Sequence, residues 1–314
     1  MLCGFHIWVK NPPIKAILKH PKLYELFNMD VGANTAEIKG NKYEAKYKDL
    51  IFTIIDEKYI SISGSMHKYY QDGTNYNDFS FENMVNAINE FCSTFHINPN
   101  NAILRSFEFG VNLSIDAKKI INAALIHQTT LPTIDLYRGK GLSKEFEHQQ
   151  YIYKMYDKGT QESLNKEILR IEYKILKMAS VKATGIKTLS DLLNKNTFNT
   201  LKKYLITPIE EIIFFEQIDY NKLNKKNKEL YLQSRSGEYW HQLSIDNRDL
   251  FKYNRKKYYN ILELYGSCLK KNLVNKIDDK FKSLLFPKLT YSIIPQINQH
   301  FITNRSPYFN CIPS

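Results

Sequence analysis

Three stretches of this chain alternate apolar and polar residues with a period of two, the mark of a strand buried on one side only. In Leu104–Ser114, Phe107, Phe109, Val111 and Leu113 share one face, opposite Ser106, Glu108, Gly110 and Asn112. In Tyr151–Lys158, Tyr151, Tyr153 and Met155 stand on one side, and Lys154, Tyr156 and Lys158 on the other. In Leu169–Leu176, Leu169, Ile171, Tyr173 and Ile175 oppose Arg170, Glu172 and Lys174. Shorter runs at Phe5–Lys10, Tyr43–Tyr47, Leu50–Ile55 and Tyr59–Ser63 also predict strands. Polar breaks at Lys48-Asp49 and Asp56-Glu57-Lys58 make the last three an antiparallel meander.

Elsewhere the period shifts towards 3.6. Ser80 is an N-cap for a helix that buries Met84, Ile88, Phe91, Cys92 and Phe95, with Asn83 leaving half a capping box. A turn at Asn98–Asn101 precedes the Leu104 strand. A second helix over Ala117–His127 is followed by a hairpin-like region up to Tyr151. Near the start, a turn at Pro12-Pro13 leads into a short helix-like Leu/Tyr/Phe pattern ending by about residue 30. From Thr188 to about Leu285 the pattern is helical, and the Lys222–Lys228 run is expected as an exposed loop or linker. This order predicts an α+β fold, a mainly antiparallel sheet with packed helices, then a mostly helical C-terminal region. The expected division is a catalytic α+β domain over 1–185 and a helical DNA-binding or accessory domain over 186–314.

Composition adds a partner class. Lys plus Arg number 44 against 32 Asp plus Glu, a net charge of +12, which points to nucleic acid. No stretch pairs a basic amphipathic face with a lipid-inserting one, and no 18 consecutive apolar residues occur, so no membrane is expected. Cys3, Cys92, Cys268 and Cys311 are scattered without a CxxC pair, as in a reduced cytoplasmic protein.

The polar faces carry the candidate chemistry. Adjacent strands are about 4.8 Å apart, so Glu108 and Glu172 on neighbouring strands can share one Mg²⁺ or Mn²⁺, the hard cations that suit carboxylates and phosphates. Solvated carboxylates are the plain alternative. Tyr156 is the candidate nucleophile. A phenol with a pKa near 10 needs help from cations, and Lys154, Lys158 and Arg170 share its face. The loop Ser63–Asn77 offers His67, Lys68, Tyr69 and Tyr70 for gripping a single strand. On the amphipathic segment Asn247–Tyr265, Arg248, Lys252, Arg255 and Lys256 lie opposite Phe251, Tyr258, Ile261, Leu262 and Tyr265. Such a basic helix is either a phosphate-binding surface or simply solvated.

Four blocks in order resemble the replication-initiation proteins of filamentous phages, the gene II protein family, and more distantly the initiators of rolling-circle plasmids. They are Ser63-Gly-Ser-Met-His-Lys-Tyr, Arg105-Ser-Phe-Glu-Phe-Gly-Val-Asn, Tyr153-Lys-Met-Tyr-Asp-Lys158, and Leu169-Arg-Ile-Glu-Tyr-Lys-Ile with Thr184-Gly-Ile-Lys-Thr-Leu-Ser-Asp-Leu after it. The resemblance covers residues 40 to 200. It implies a metal-dependent endonuclease and ligase that nicks origin DNA, single-stranded, hairpin or supercoiled, leaving a 5′-phosphotyrosyl link and a free 3′-OH. Carried over by position, Tyr156 is the nucleophile, Glu108 and Glu172 hold Mg²⁺ or Mn²⁺, and Lys158 and Arg170 polarise the phosphate. Lys154 and Lys174, with His67 and Lys68, are expected to contact DNA. The resemblance further implies a bacterial host cytoplasm, a host helicase, single-strand-binding protein and polymerase as partners, and a homodimer as in plasmid relatives. A relaxase with the same chemistry and a non-catalytic DNA-binding regulator are the alternatives.

Overall fold

The computed structural model describes residues 1–23, 28–31, 38–137 and 141–287. The expected Leu/Tyr/Phe pattern at 24–27 and Cys311 lie outside the described residues. The elements in chain order begin with β1 (Leu2–Val9), α1 (Ile14–Leu18), β2 (Asn28–Val31), β3 (Ile38–Tyr47), β4 (Leu50–Ile55), β5 (Tyr59–Ser65), α2 (Met66–Tyr70) and α3 (Phe81–Thr94). Next come β6 (Ala102–Leu113), α4 (Ala117–Ala123), β7 (Ala124–His127), β8 (Thr133–Tyr137), β9 (Gly141–Glu147), β10 (Tyr151–Asp157), α5 (Lys158–Gln161) and β11 (Leu169–Ile175). The remainder is α6 (Leu189–Leu192), α7 (Lys195–Asn199), α8 (Lys202–Glu211), β12 (Ile212–Phe214), α9 (Lys225–Gln233), α10 (Gly237–Asp246), α11 (Arg248–Tyr265) and α12 (Leu269–Leu285). No helix among the described residues is long and apolar enough to cross a membrane.

Ten strands form one antiparallel sheet in the order β2-β3-β4-β5-β1-β6-β11-β10-β9-β8. The fold is α+β, and the alternating strands behave as their period requires. Phe107, Phe109, Val111, Tyr153, Met155, Ile171, Tyr173 and Ile175 are buried on one face, under the helices. There Phe91 of α3 packs edge-on to Phe5, 5.9 Å between ring centroids, and the Tyr153 hydroxyl donates 2.8 Å to the Leu205 carbonyl of α8. Ser80 caps α3 by accepting from the Asn83 N–H, as its position predicts.

Two expectations are corrected. The helix begun at Ala117 ends at Ala123, because Ala124–His127 leaves it to pair with β12 in a separate two-stranded ribbon. Lys222–Lys228 is not a plain loop: Asn224 caps α9, whose first turn carries Lys225, Lys226 and Lys228. A local run of lysines gave no hint of a cap that depends on one asparagine.

Two hydrophobic cores result. The larger holds the sheet together with Leu189, Phe198, Leu205, Ile209 and the α12 residues Leu273, Ile277 and Phe281. The smaller gathers Ile126, Ile213, Tyr231, Trp240, Phe251, Tyr258 and Ile261. The chain first visits the smaller core at Ile126 of β7, returns to it after α8 and leaves it before α12, and one buried side chain clasps these last two crossings. Glu216 accepts from the Ser267 N–H (2.7 Å), the Ser267 hydroxyl (2.8 Å) and the Leu269 N–H (3.2 Å), which also places negative charge at the start of α12. Hydrogen bonds to a charged group contribute about 1.5–3 kcal/mol each. Glu216→Ala is therefore expected to lower stability by at least about 2 kcal/mol, with the loss visible in urea titrations followed through the fluorescence of buried Trp240.

Candidate functional site

Three central strands bring the site together. In the β10–β11 register Tyr156 faces Arg170 and Lys154 faces Glu172. In the β11–β6 register Glu172 faces Gly110, Arg170 faces Asn112 and Lys174 faces Glu108. Tyr156, Lys154, Arg170, Glu172, Lys174 and Glu108 thus occupy one surface, on the side of the sheet away from the aromatic core. β1 adds a residue that sequence alone did not single out. A register shift between Leu2 and Phe5 turns Cys3 towards the carboxylates, so that Cys3 Sγ and oxygens of Glu108 and Glu172 lie within 4.8 Å of one another.

Arg170 is fully buried and fixes the arrangement. Its Nε donates 2.8 Å to Glu172 Oε1, its Nη1 donates 2.8 Å to Asn112 Oδ1, and its Nη2 contacts Cys3 Sγ. Asn112 in turn donates 2.9 Å to the Tyr76 carbonyl, tying the Ser63–Asn77 region to the sheet. Sequence placed Arg170 at the phosphate. These bonds bury its guanidinium and commit it to Glu172, Asn112 and Cys3.

The carboxylates titrate apart for the same reason. Burial works to raise Glu172, but the charge and hydrogen bond of Arg170 outweigh it and hold Glu172 below the usual range. Glu108 is pushed up to about 8 by burial and by the neighbouring Glu172 charge. Near neutrality the pair therefore shares one proton, held mainly on Glu108. A divalent cation can take that proton's place. Two hard oxygens, with further positions left to water and phosphate, match Mg²⁺ or Mn²⁺. Cys3, raised to about 12 by burial, stays a thiol and adds little to a hard-cation site. The floor beside the carboxylates is kept bare by glycine. A Cβ on Gly110 would stand 2.2 Å from the Ile171 carbonyl oxygen and 2.8 Å from Glu172 Cγ, and one on Gly4 would stand 3.6 Å from Glu108 Cβ. The donor set therefore fits the ion expected from sequence.

Tyr156 is half-buried, and its pKa lies well above 10 because of burial first and the Glu172 charge second. Lys158 Nζ lies 5.8 Å from the Tyr156 ring centroid. That lysine is buried and bonded to Glu162 (2.7 Å) and Gln161 (3.2 Å), and burial lowers its pKa. Lys154 pairs with Glu145 at 2.8 Å; burial opposes its charge, yet the Glu145 hydrogen bond lifts its pKa overall. Lys174 is half-buried on the same surface.

The other candidates divide between buried and exposed positions. His67 is fully buried in α2, stacked on Phe79 at 4.5 Å and bonded to Gln71 at 3.0 Å; burial pushes it down to about 2. Tyr69 is buried as well, so the expected single-strand grip at His67 is corrected to a packed helical turn. Lys68, 4.0 Å from Asp49, and Tyr70 keep partial exposure. The α11 cations belong to the smaller core's surface. Arg248, Lys252 and Lys256 are exposed, and Arg255 lies over the Phe251 ring at 5.3 Å. Besides Cys3, sequence reasoning passed over Asn112 as a ligand of Arg170; its place on the polar face of β6 was the available signal.

Among solved structures, the chain is similar to the rolling circle replication initiator protein from Geobacillus stearothermophilus, with a TM-score of 0.39 and 10% identity over 73% of this chain and 89% of that one. No family model and no curated protein matches it.

The carboxyl pair has a consequence for stability. A carboxyl whose folded pKa is raised contributes stability that is complete below its unfolded pKa, near 4.5, and is lost as pH rises through about 8. Groups lowered by burial contribute opposite slopes over the same range: His67 below about 6.5, the Met1 amino group, lowered to about 5, up to about 8, and Lys270, lowered to about 7, above that value. The Glu108 contribution is therefore read as a difference: between pH 6.5 and 8 the stability of Glu108→Gln relative to the unsubstituted chain should rise with pH by up to about 1.4 kcal/mol per unit in chemical unfolding series. Gly110→Ala should displace Glu172 and cost several-fold in metal affinity, measured by titration calorimetry.

Proposed function

We propose that this chain is a metal-dependent DNA-nicking and joining enzyme acting through Tyr156, of the kind that initiates rolling-circle replication. The observation that carries the reading is the meeting, on three adjacent strands of one sheet face, of a tyrosine hydroxyl, two carboxyls that share a proton, and flanking lysines. Origin DNA is the substrate this reading names, and the cations of α11 form its second contact surface.

In this mechanism the scissile phosphate lies over Glu108 and Glu172, with Lys154 and Lys174 against its non-bridging oxygens. Tyr156 Oη attacks phosphorus. The Oη–P bond forms as the P–O3′ bond breaks, giving a 5′-phosphotyrosyl link and a free 3′-hydroxyl. The phenolic proton leaves to water at the open face. The departing 3′-oxygen, on the side of phosphorus opposite Tyr156 Oη, takes its proton from water. Arg170 holds Glu172 ionised and in place. Glu108 and Glu172 would hold Mg²⁺ or Mn²⁺, which would supply neutralisation of charge on the phosphate and a lower cost for the phenolate. Joining reverses the same bonds.

The raised Tyr156 pKa favours a second reading, a DNA-binding surface without chemistry. Relaxation of supercoiled plasmid separates the two. Under the nicking reading, Mg²⁺ or Mn²⁺ is required, chelation stops the reaction, and Tyr156→Phe abolishes the covalent 5′ adduct while DNA binding persists. Glu172→Gln is expected to reduce nicking by about a hundredfold or more, as loss of a transition-state charge partner does. An adduct formed by Tyr156→Phe overturns the assignment.

A further inference from the structure

A large groove lies elsewhere on the sheet, on the same polar face as Tyr156 and the carboxyls. Its volume is about 1510 Å³, between α1 and strands β1, β4, β5 and β6. Its floor is aromatic and open to solvent: Trp8 is 51% exposed and Tyr59 61%. Isolated exposed aromatics need no explanation, but these two line one groove. A second register shift, between His6 and Ile7 against β6, turns Arg105 out of the ladder, and its guanidinium stacks over the Trp8 ring at 4.6 Å. His6, between Trp8 and the site, is held by a 2.8 Å bond to Ser61.

The walls are cationic. Lys10, Lys15, Lys58 and Arg105 line the groove against the single carboxylate of Glu57. A neighbouring cavity of about 680 Å³ shares Lys10, Ile103 and Arg105 with it and adds Lys177, Lys182 and Lys187 with no carboxylate. Alternate residues of β1 then lead from the groove to the site: Trp8, His6 and Gly4, the last beside Glu108. On β6, Arg105 is three residues from Glu108, about 10 Å at strand spacing.

We infer that this groove is the track for a single DNA strand, with unpaired bases stacked on Trp8 and Tyr59 and phosphates held by Arg105 and the flanking lysines, feeding the strand along β1 towards Glu108. Exposed aromatic faces beside a row of cations bind bases without needing their edges, and a duplex keeps those faces stacked away. The direction of the track rests on the nicking reading. Binding in the groove does not.

The test uses the full chain and a fluorescein-labelled oligo(dT) strand, read by anisotropy and by quenching of tryptophan emission. Trp240 is buried, so quenching reports on Trp8. The expected results are tighter binding of the single strand than of a duplex of equal length, and a loss of about tenfold to a hundredfold in Trp8→Ala, matching the stacking of one base. Trp8→Phe should restore most of the affinity, which separates stacking from a folding defect. Arg105→Gln should lower the dependence of affinity on salt by about 0.7 in log–log slope. Wild-type affinity in both Trp8→Ala and Arg105→Gln, or equal affinity for duplex, overturns the track. If the Trp8-dependent binding is present and the wild-type chain forms no 5′ adduct with metal, the nicking reading fails and the track stands.

Discussion

A single buried guanidinium organises the polar side of this sheet. Arg170 reaches from β11 to Cys3 on β1 and Asn112 on β6 while holding Glu172 on its own strand. A charge this deep is tolerated because its hydrogen bonds are made within the protein, and removing a partner would leave it uncompensated at a cost of about 3–5 kcal/mol. The same contacts set the chemistry around it. They keep Glu172 ionised, and an ionised Glu172 is one reason that Glu108 retains a proton. The separated acidities of two identical side chains follow from which of them touches Arg170.

The opposite face of the sheet obeys a simpler rule. Its aromatic and aliphatic residues are packed beneath the helices without polar partners, apart from single hydroxyls such as that of Tyr153. A one-residue slip of β10 or β11 would place Tyr156 or Glu172 in that interior and lift Tyr153 or Tyr173 out of it. Register and reactivity are in this sense one constraint, since the burial of one set of side chains aims the other.

This is why the strands were legible in the sequence. A period of two assigns faces from local information alone, so the shared side of Glu108, Tyr156 and Glu172 followed from three short segments. The helix capped by Ser80 was legible for a similar reason, its signal lying within four residues. Other features depended on distant chain. The end of the Ala117 helix is set by pairing with Ile212–Phe214. Cys3 joins the carboxylates through a strand irregularity that no pattern in the first ten residues encodes. His67 sat among polar neighbours in the sequence, and Phe79, twelve positions on, closes over it. Lys158 continues the alternation of β10, yet Glu162 draws it into the turn of a helix. Charge and period together find the face of a sheet, but they do not say which cations remain free once the chain has folded.

The Glu216 clasp gives the smaller core a particular kind of independence. Two of its connections to the larger one, after β12 and before α12, are drawn together by three hydrogen bonds to one carboxylate, and α8 and α12 are themselves bridged by Lys202 and Asp278 at 2.7 Å. The stretch from Glu216 to Ser267 departs and returns through one doorway, so it can be lengthened or shortened without severing any ladder of the main sheet. Sequence change can then accumulate in that stretch, while the part that positions Arg170 stays under the tight geometric demands of its own packing.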